Sequence, residues 1–171
     1  LDSTADSIVA GMITMNAQWC RALGRILVDQ QVSEALLEKV TERLAVVTMG
    51  HSEHTDSQMG CMVHKGHYQH IITALEWYSQ LGAELLQVTP MPALAGFFIP
   101  PTIVMGLSPK DTLEETFGPV ACWHTFEDEQ QAISLANQTH YGLAAYVFGE
   151  QQHALDIAQS IRSGMVKINR V

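Results

Sequence analysis

Residues 120–169, VACWHTFEDEQQAISLANQTHYGLAAYVFGEQQHALDIAQSIRSGMVKIN, decide the fold class. Within them VACWHTF, GLAAYVFG and MVKIN are short apolar runs rich in β-branched and aromatic residues, while the two intervening segments carry apolar residues at helical spacing. Strands separated by helices of about ten residues or more call for crossover connections and a parallel sheet covered by helices.

The rest of the chain continues the alternation. STADSIVAGMITM, residues 3–15, reads as a helix with Ile8, Val9, Met12 and Ile13 on one face and Ser3 or Thr4 as its N-cap, and RILVD, residues 25–29, as a buried strand. Ser33 is the expected cap of a helix through EALLEKVTERLAVV, with Leu36, Leu37, Val40 and Leu44 inward. The polar stretch GHSEHTDSQMG, residues 50–60, predicts a loop. A helix is expected from about Val63 to Leu81, stopped by Gly82 in a left-handed cap, with strands at AELLQV and around GFFIPPTIV. The expected fold is therefore α/β, a largely parallel sheet with helices on both faces, and a single domain over residues 1–171 with no linker or repeat.

Composition narrows the function classes. A formal net charge of −9 with no run of Lys or Arg argues against nucleic acid as a partner. The apolar stretch GFFIPPTIVMG holds two prolines and falls short of the roughly 20 residues needed to cross a bilayer, so no transmembrane helix and no membrane partner is expected. Three widely spaced cysteines without a CxxC pair suit a reducing compartment. With no signal-peptide pattern in what is given, the expected location is cytoplasmic. Among the eight histidines, His64, His67 and His70 follow Cys61 at three-residue spacing. On a helix His64 and His70 would lie about 120° apart, too far for one tetrahedral site, so no metal is expected.

The candidate chemistry lies in MNAQWCRALGRILVD, residues 15–29, where Cys20 sits between a helix and a strand, at the mouth of the sheet where such folds bind ligands. A buried cysteine usually packs as a small hydrophobe, and that reading stands beside the functional one. Trp19 either walls a pocket or anchors the loop.

Gln18, Cys20 and Arg25 with the following ILV match the pattern Q-x-C-x-x-x-x-R, and ETFGP at residues 115–119 is followed by ANQTHYGLAA and GMVKIN. In these segments the chain resembles the aldehyde dehydrogenase superfamily, and DSQMGCMV, LGAELL and GFFIPPTIV fall in the family's order. The resemblance implies a catalytic-domain core in which the Cys20 thiolate attacks an aldehyde carbonyl, with the Cys20 backbone N–H forming half of an oxyanion hole. It implies cofactor binding by Glu115, through the nicotinamide ribose hydroxyls, and by Phe117 beside the ring. NAD or NADP is the implied cofactor, a small-molecule aldehyde the substrate, and a homo-oligomer the expected assembly.

Two positions depart from the family pattern: Ala17 stands where glycine is usual, and Met15 where asparagine is usual, with Asn16 one residue later. A methyl group at position 17 is expected to push the loop away from the cofactor. The family's glycine-rich turn, its general-base glutamate, its second oxyanion donor and its C-terminal segment do not occur in these 171 residues. The expected chain is thus a catalytic portion without cofactor domain or tail, inactive by itself. The alternatives are a noncatalytic module acting in subunit association and a nicotinamide-independent cysteine hydrolase.

Overall fold

The computed structural model describes residues 1–171. Its helices are α1 (Asp2–Ile13), α2 (Ser33–Ala45), α3 (Lys65–Gln80), α4 (Glu129–Ala136) and α5 (Gln151–Ala158). Its strands are β1 (Arg25–Asp29), β2 (Glu84–Leu86), β3 (Thr102–Met105), β4 (Val120–Phe126), β5 (Ala144–Val147) and β6 (Met165–Ile168).

The strands form two sheets. Four are ordered β1-β4-β3-β2, with β4 parallel to both β1 and β3 and β2 antiparallel at the edge; β5 and β6 form a separate parallel pair. The α/β reading with a mostly parallel sheet holds, although the last two strands do not join the first four. β4 is central because VACWH is buried at all five positions, so apolar layers can cover both of its faces. One core joins Ala5, Ile8 and Met12 of α1, Leu36, Val40 and Leu44 of α2, and Ile26, Ile103, Val104 and Ala121 of the sheet. Outside it, Arg43 pairs with Asp2 and Asp6, and Lys39 with Asp2, fastening α2 to α1. No helix is long and apolar enough to cross a membrane.

Several boundaries differ from expectation for local physical reasons. α1 begins at Asp2 after Leu1, with neither Ser3 nor Thr4 as its cap. Ser33 lies inside the first turn of α2, and its hydroxyl accepts instead from the Trp123 indole at 2.9 Å, a tertiary partner that outcompetes the local cap. α3 starts at Lys65, because the His64 ring accepts from the His67 N–H and caps the helix; Cys61 and His64 therefore lie off the expected helical stripe. The strand expected around GFFIPPTIV is confined to Thr102–Met105, since Pro100 and Pro101 have no N–H to give a ladder. Gly82 adopts φ +92° just past α3, the left-handed stop expected of it.

Candidate active site

The segment carrying Cys20 is shaped by a left-handed turn. After α1 the chain passes through Met15, Asn16 and Ala17 with φ of +50°, +57° and +53°, three consecutive residues in a region that ordinarily suits glycine or asparagine. The departure at Ala17 thus falls where glycine would be least strained. Its methyl group is nevertheless fully buried and absorbed by the core.

Two amide side chains secure this turn against the segment 60–63. Asn16 Oδ1 accepts from the Gly60 N–H at 2.6 Å while its Nδ2 donates to the Cys61 carbonyl at 3.2 Å. Gln18 Oε1 accepts from the Val63 N–H at 2.8 Å, and its Nε2 reaches the Cys61 carbonyl at 3.5 Å. Asn16, one place after the expected asparagine, is thereby a clasp of the loop.

Beyond the clasp Cys20 is exposed, in a turn closed by the Ala22 N–H on the Trp19 carbonyl at 3.0 Å. The Arg21 guanidinium lies 4.7 Å over the Trp19 ring, and the Trp19 indole N–H is buried without a partner. Arg25 then starts β1 and turns inward: Nη1 donates to the Leu135 carbonyl in the last turn of α4 at 2.8 Å. A cation at a helix C-terminus is favoured by the carbonyl dipoles there, and burial lowers the Arg25 pKa from its ordinary value. The motif arginine is thus a strut between β1 and α4.

Glu115 and Phe117 stand on the link entering β4. Behind them Thr116 is buried, its hydroxyl 3.4 Å from that of Tyr78. Phe117 takes φ +53° and is 38% exposed as a residue, and its carbonyl accepts from His67 Nε2 at 2.8 Å. Gly118 follows because a Cβ there would lie 2.4 Å from Ile71 Cδ1 of α3. The Pro119 carbonyl accepts from the Thr102 N–H, so the link enters the sheet beside β3. Glu115 makes no side-chain hydrogen bond, and partial burial raises its carboxyl above the ordinary value.

Cys20, Glu115 and Phe117 all line one cleft of about 1160 Å³ that runs between β1 and β5. A smaller hollow of about 440 Å³ is lined by Gln18, Cys61 and His67 and again by Phe117. Nowhere do three His, Cys, Asp or Glu side chains converge as metal ligands. Sequence reasoning missed Tyr146, whose hydroxyl donates to the Arg21 carbonyl at 2.8 Å, and His67 beneath Phe117. Neither has a local signal, since the partners are 125 and 50 residues apart.

The arrangement has counterparts among known proteins. Aminoacetaldehyde dehydrogenase of Pseudomonas aeruginosa is 37% identical over 173 residues, covering 99% of this chain and 34% of that protein. Betaine aldehyde dehydrogenase 1 of rice (Oryza sativa subsp. japonica) is 30% identical over 174 residues, again covering 99% of this chain and 34% of the relative. The crystal structure of betaine aldehyde dehydrogenase from Staphylococcus aureus in complex with NAD+ superposes with a TM-score of 0.93 at 28% identity, over 99% of this chain and 35% of that one. The chain therefore spans about a third of the length of the relatives it matches. The sequence profile of the aldehyde dehydrogenase family matches residues 1–171 throughout, and the chain belongs to that family.

Proposed function

We propose that this chain is the catalytic portion of an NAD(P)-dependent aldehyde dehydrogenase, with Cys20 as nucleophile. The observation that carries the proposal is that the exposed Cys20 lines the same cleft as Glu115 and Phe117. An unpaired carboxylate and an open aromatic face fit the ribose hydroxyls and the nicotinamide ring of a dinucleotide.

The Cys20 thiolate attacks the aldehyde carbon, forming a C–S bond while the carbonyl oxygen takes the electron pair as an oxyanion. The Cys20 N–H donates to that oxyanion. The hydride that then leaves the carbon would be accepted by nicotinamide when it is bound, and the carbonyl re-forms as a thioester on Cys20. Water cleaves the C–S bond to give the carboxylic acid and returns the proton and thiol. Asn16 and Gln18 hold the loop in place, and Glu115 and Phe117 would hold the cofactor.

Relatives named for aminoacetaldehyde and betaine aldehyde make aldehydes bearing an amino or ammonium group the first substrates to assay. Residues 1–171 form one catalytic domain in this reading, in a cytoplasmic homo-oligomer. A hydrogen-bonded charged group contributes about 1.5–3 kcal/mol, small beside the roughly 4–15 kcal/mol lost on immobilising a partner. Glu115 therefore does not retain a dinucleotide unaided, and the 171 residues alone bind no NAD at millimolar concentration.

Calorimetric titration with NAD and the absorbance of reduced nicotinamide test this. A protein extending this chain to the length of its relatives binds NAD and oxidises an aldehyde; Cys20→Ser abolishes oxidation and keeps binding, and Glu115→Gln weakens binding. Unchanged oxidation in Cys20→Ser refutes the mechanism, and turnover by the short chain refutes its dependence on further protein.

A further inference from the structure

We propose that Tyr146 is a positioning residue that holds the Cys20 turn in place by donating its hydroxyl to the Arg21 carbonyl. The inference rests on the reading of Cys20 as the nucleophile. Tyr146 lies on β5 in a sheet separate from β1, and its Oη reaches the Arg21 oxygen at 2.8 Å, across the cleft that Cys20 also lines. It is the one side-chain hydrogen bond received by residues 19–24, whose other polar ties are backbone bonds at Ala22 and Gly24. The Asn16 and Gln18 clasp fixes the turn from its N-terminal side, β1 fixes it from Arg25 onward, and Tyr146 secures the carbonyl of the residue that follows the thiol.

The ring itself is held. Tyr146 pairs in register with Lys167 of β6, whose ammonium lies 5.9 Å from the ring centroid. Burial pushes the phenol above its ordinary pKa, the Arg21 guanidinium opposes this, and the nearby Cys20 thiolate adds to it. The upward shift keeps Tyr146 a protonated donor at neutral pH. A donor on the β5–β6 pair makes the placement of Cys20 depend on how that pair sits against the larger sheet.

The test is Tyr146→Phe in the full chain, which removes one oxygen and keeps the ring. Cys20 alkylation by iodoacetamide is followed by peptide mapping between about pH 6 and 10, with Cys61 as internal reference. The expected result is a fall of about threefold or more in the Cys20 rate at each pH, with the Cys61 rate unchanged. Hydrogen exchange at the Ala22 amide, which closes the turn, should quicken in the same variant. An unchanged or raised Cys20 rate together with unchanged Ala22 exchange overturns the positioning role while leaving the nucleophile reading intact. If Cys20 in the unsubstituted chain is alkylated no faster than Cys61, the nucleophile reading fails and this role falls with it.

Discussion

Asn16 and Gly60 are joined by a 2.6 Å hydrogen bond from the Gly60 N–H to the Asn16 side-chain oxygen, which ties the turn before Cys20 to a segment 44 residues away. The same amide donates to the Cys61 carbonyl, so one side chain satisfies two backbone groups that are partly shielded from water. Asn16→Ala removes both bonds, at about 1 kcal/mol each, and replaces an asparagine at φ +57° with a residue less suited to it. The expected loss is about 2–3 kcal/mol. Urea unfolding checks it, and a loss under about 1 kcal/mol would mean that Gln18 alone secures the loop.

Met15 presents the reverse situation. Its side chain is 67% exposed and makes no core contact worth keeping, yet its φ is +50°. Met15→Gly should stabilise the chain by about 1 kcal/mol, raising Tm by roughly 2–4 °C. Ala17→Gly is the control: it relieves the same strain but forfeits a buried methyl worth about 0.8 kcal/mol, and its net effect should be close to zero. Thermal melts of the two variants should therefore differ, and equal shifts would show that backbone strain is not what separates them.

The three thiols should react in the order Cys20, Cys61, Cys122. Cys20 is exposed and Cys61 intermediate, whereas Cys122 is buried in β4. Burial pushes the Cys122 pKa up to about 11, against the opposing effects of a hydrogen bond with Tyr78 and the charge of Arg25. Peptide mapping after brief iodoacetamide treatment at neutral pH should find label at Cys20 first and none at Cys122 until the chain is unfolded. Early labelling of Cys122 would show that β4 opens readily.

Legibility in the sequence followed the range of the interactions. β1 and β4 were readable to the residue because each is built on a short apolar run, ILV in β1 and VACW in β4, that ends at a polar residue. The grouping of Cys20 with Glu115 and Phe117 was readable only through motif resemblance, since 95 residues of chain separate the first two and no spacing rule spans them. Ser33 was misread because its partner is Trp123, 90 residues on, and Tyr146 was invisible because its acceptor is a backbone carbonyl 125 residues earlier. Backbone acceptors carry no residue identity, so their partners leave no local trace.

Stability should fall on mild acidification because of His124. Its side chain is buried in β4, with Nε2 2.8 Å from the Thr112 hydroxyl. Burial lowers its pKa from 6.5 to about 4, helped by the Arg25 charge and opposed by a backbone hydrogen bond with Leu107. A folded pKa below the unfolded one means that the unfolded chain takes up the proton first. The stabilisation is therefore fully present above pH 6.5 and is lost as the pH falls toward about 4. After discounting for screening and relaxation around the ring, the loss amounts to about 2 kcal/mol. Asp2, held down to about 2 by hydrogen bonds to Lys39 and Arg43, acts only below its ordinary 3.8, so the two windows separate. Urea midpoints measured between pH 7 and 4 should decline steadily for the unsubstituted chain and much less for His124→Gln, which has no titrating ring. An equal decline in both would assign the acid sensitivity to other groups and remove His124 from the account.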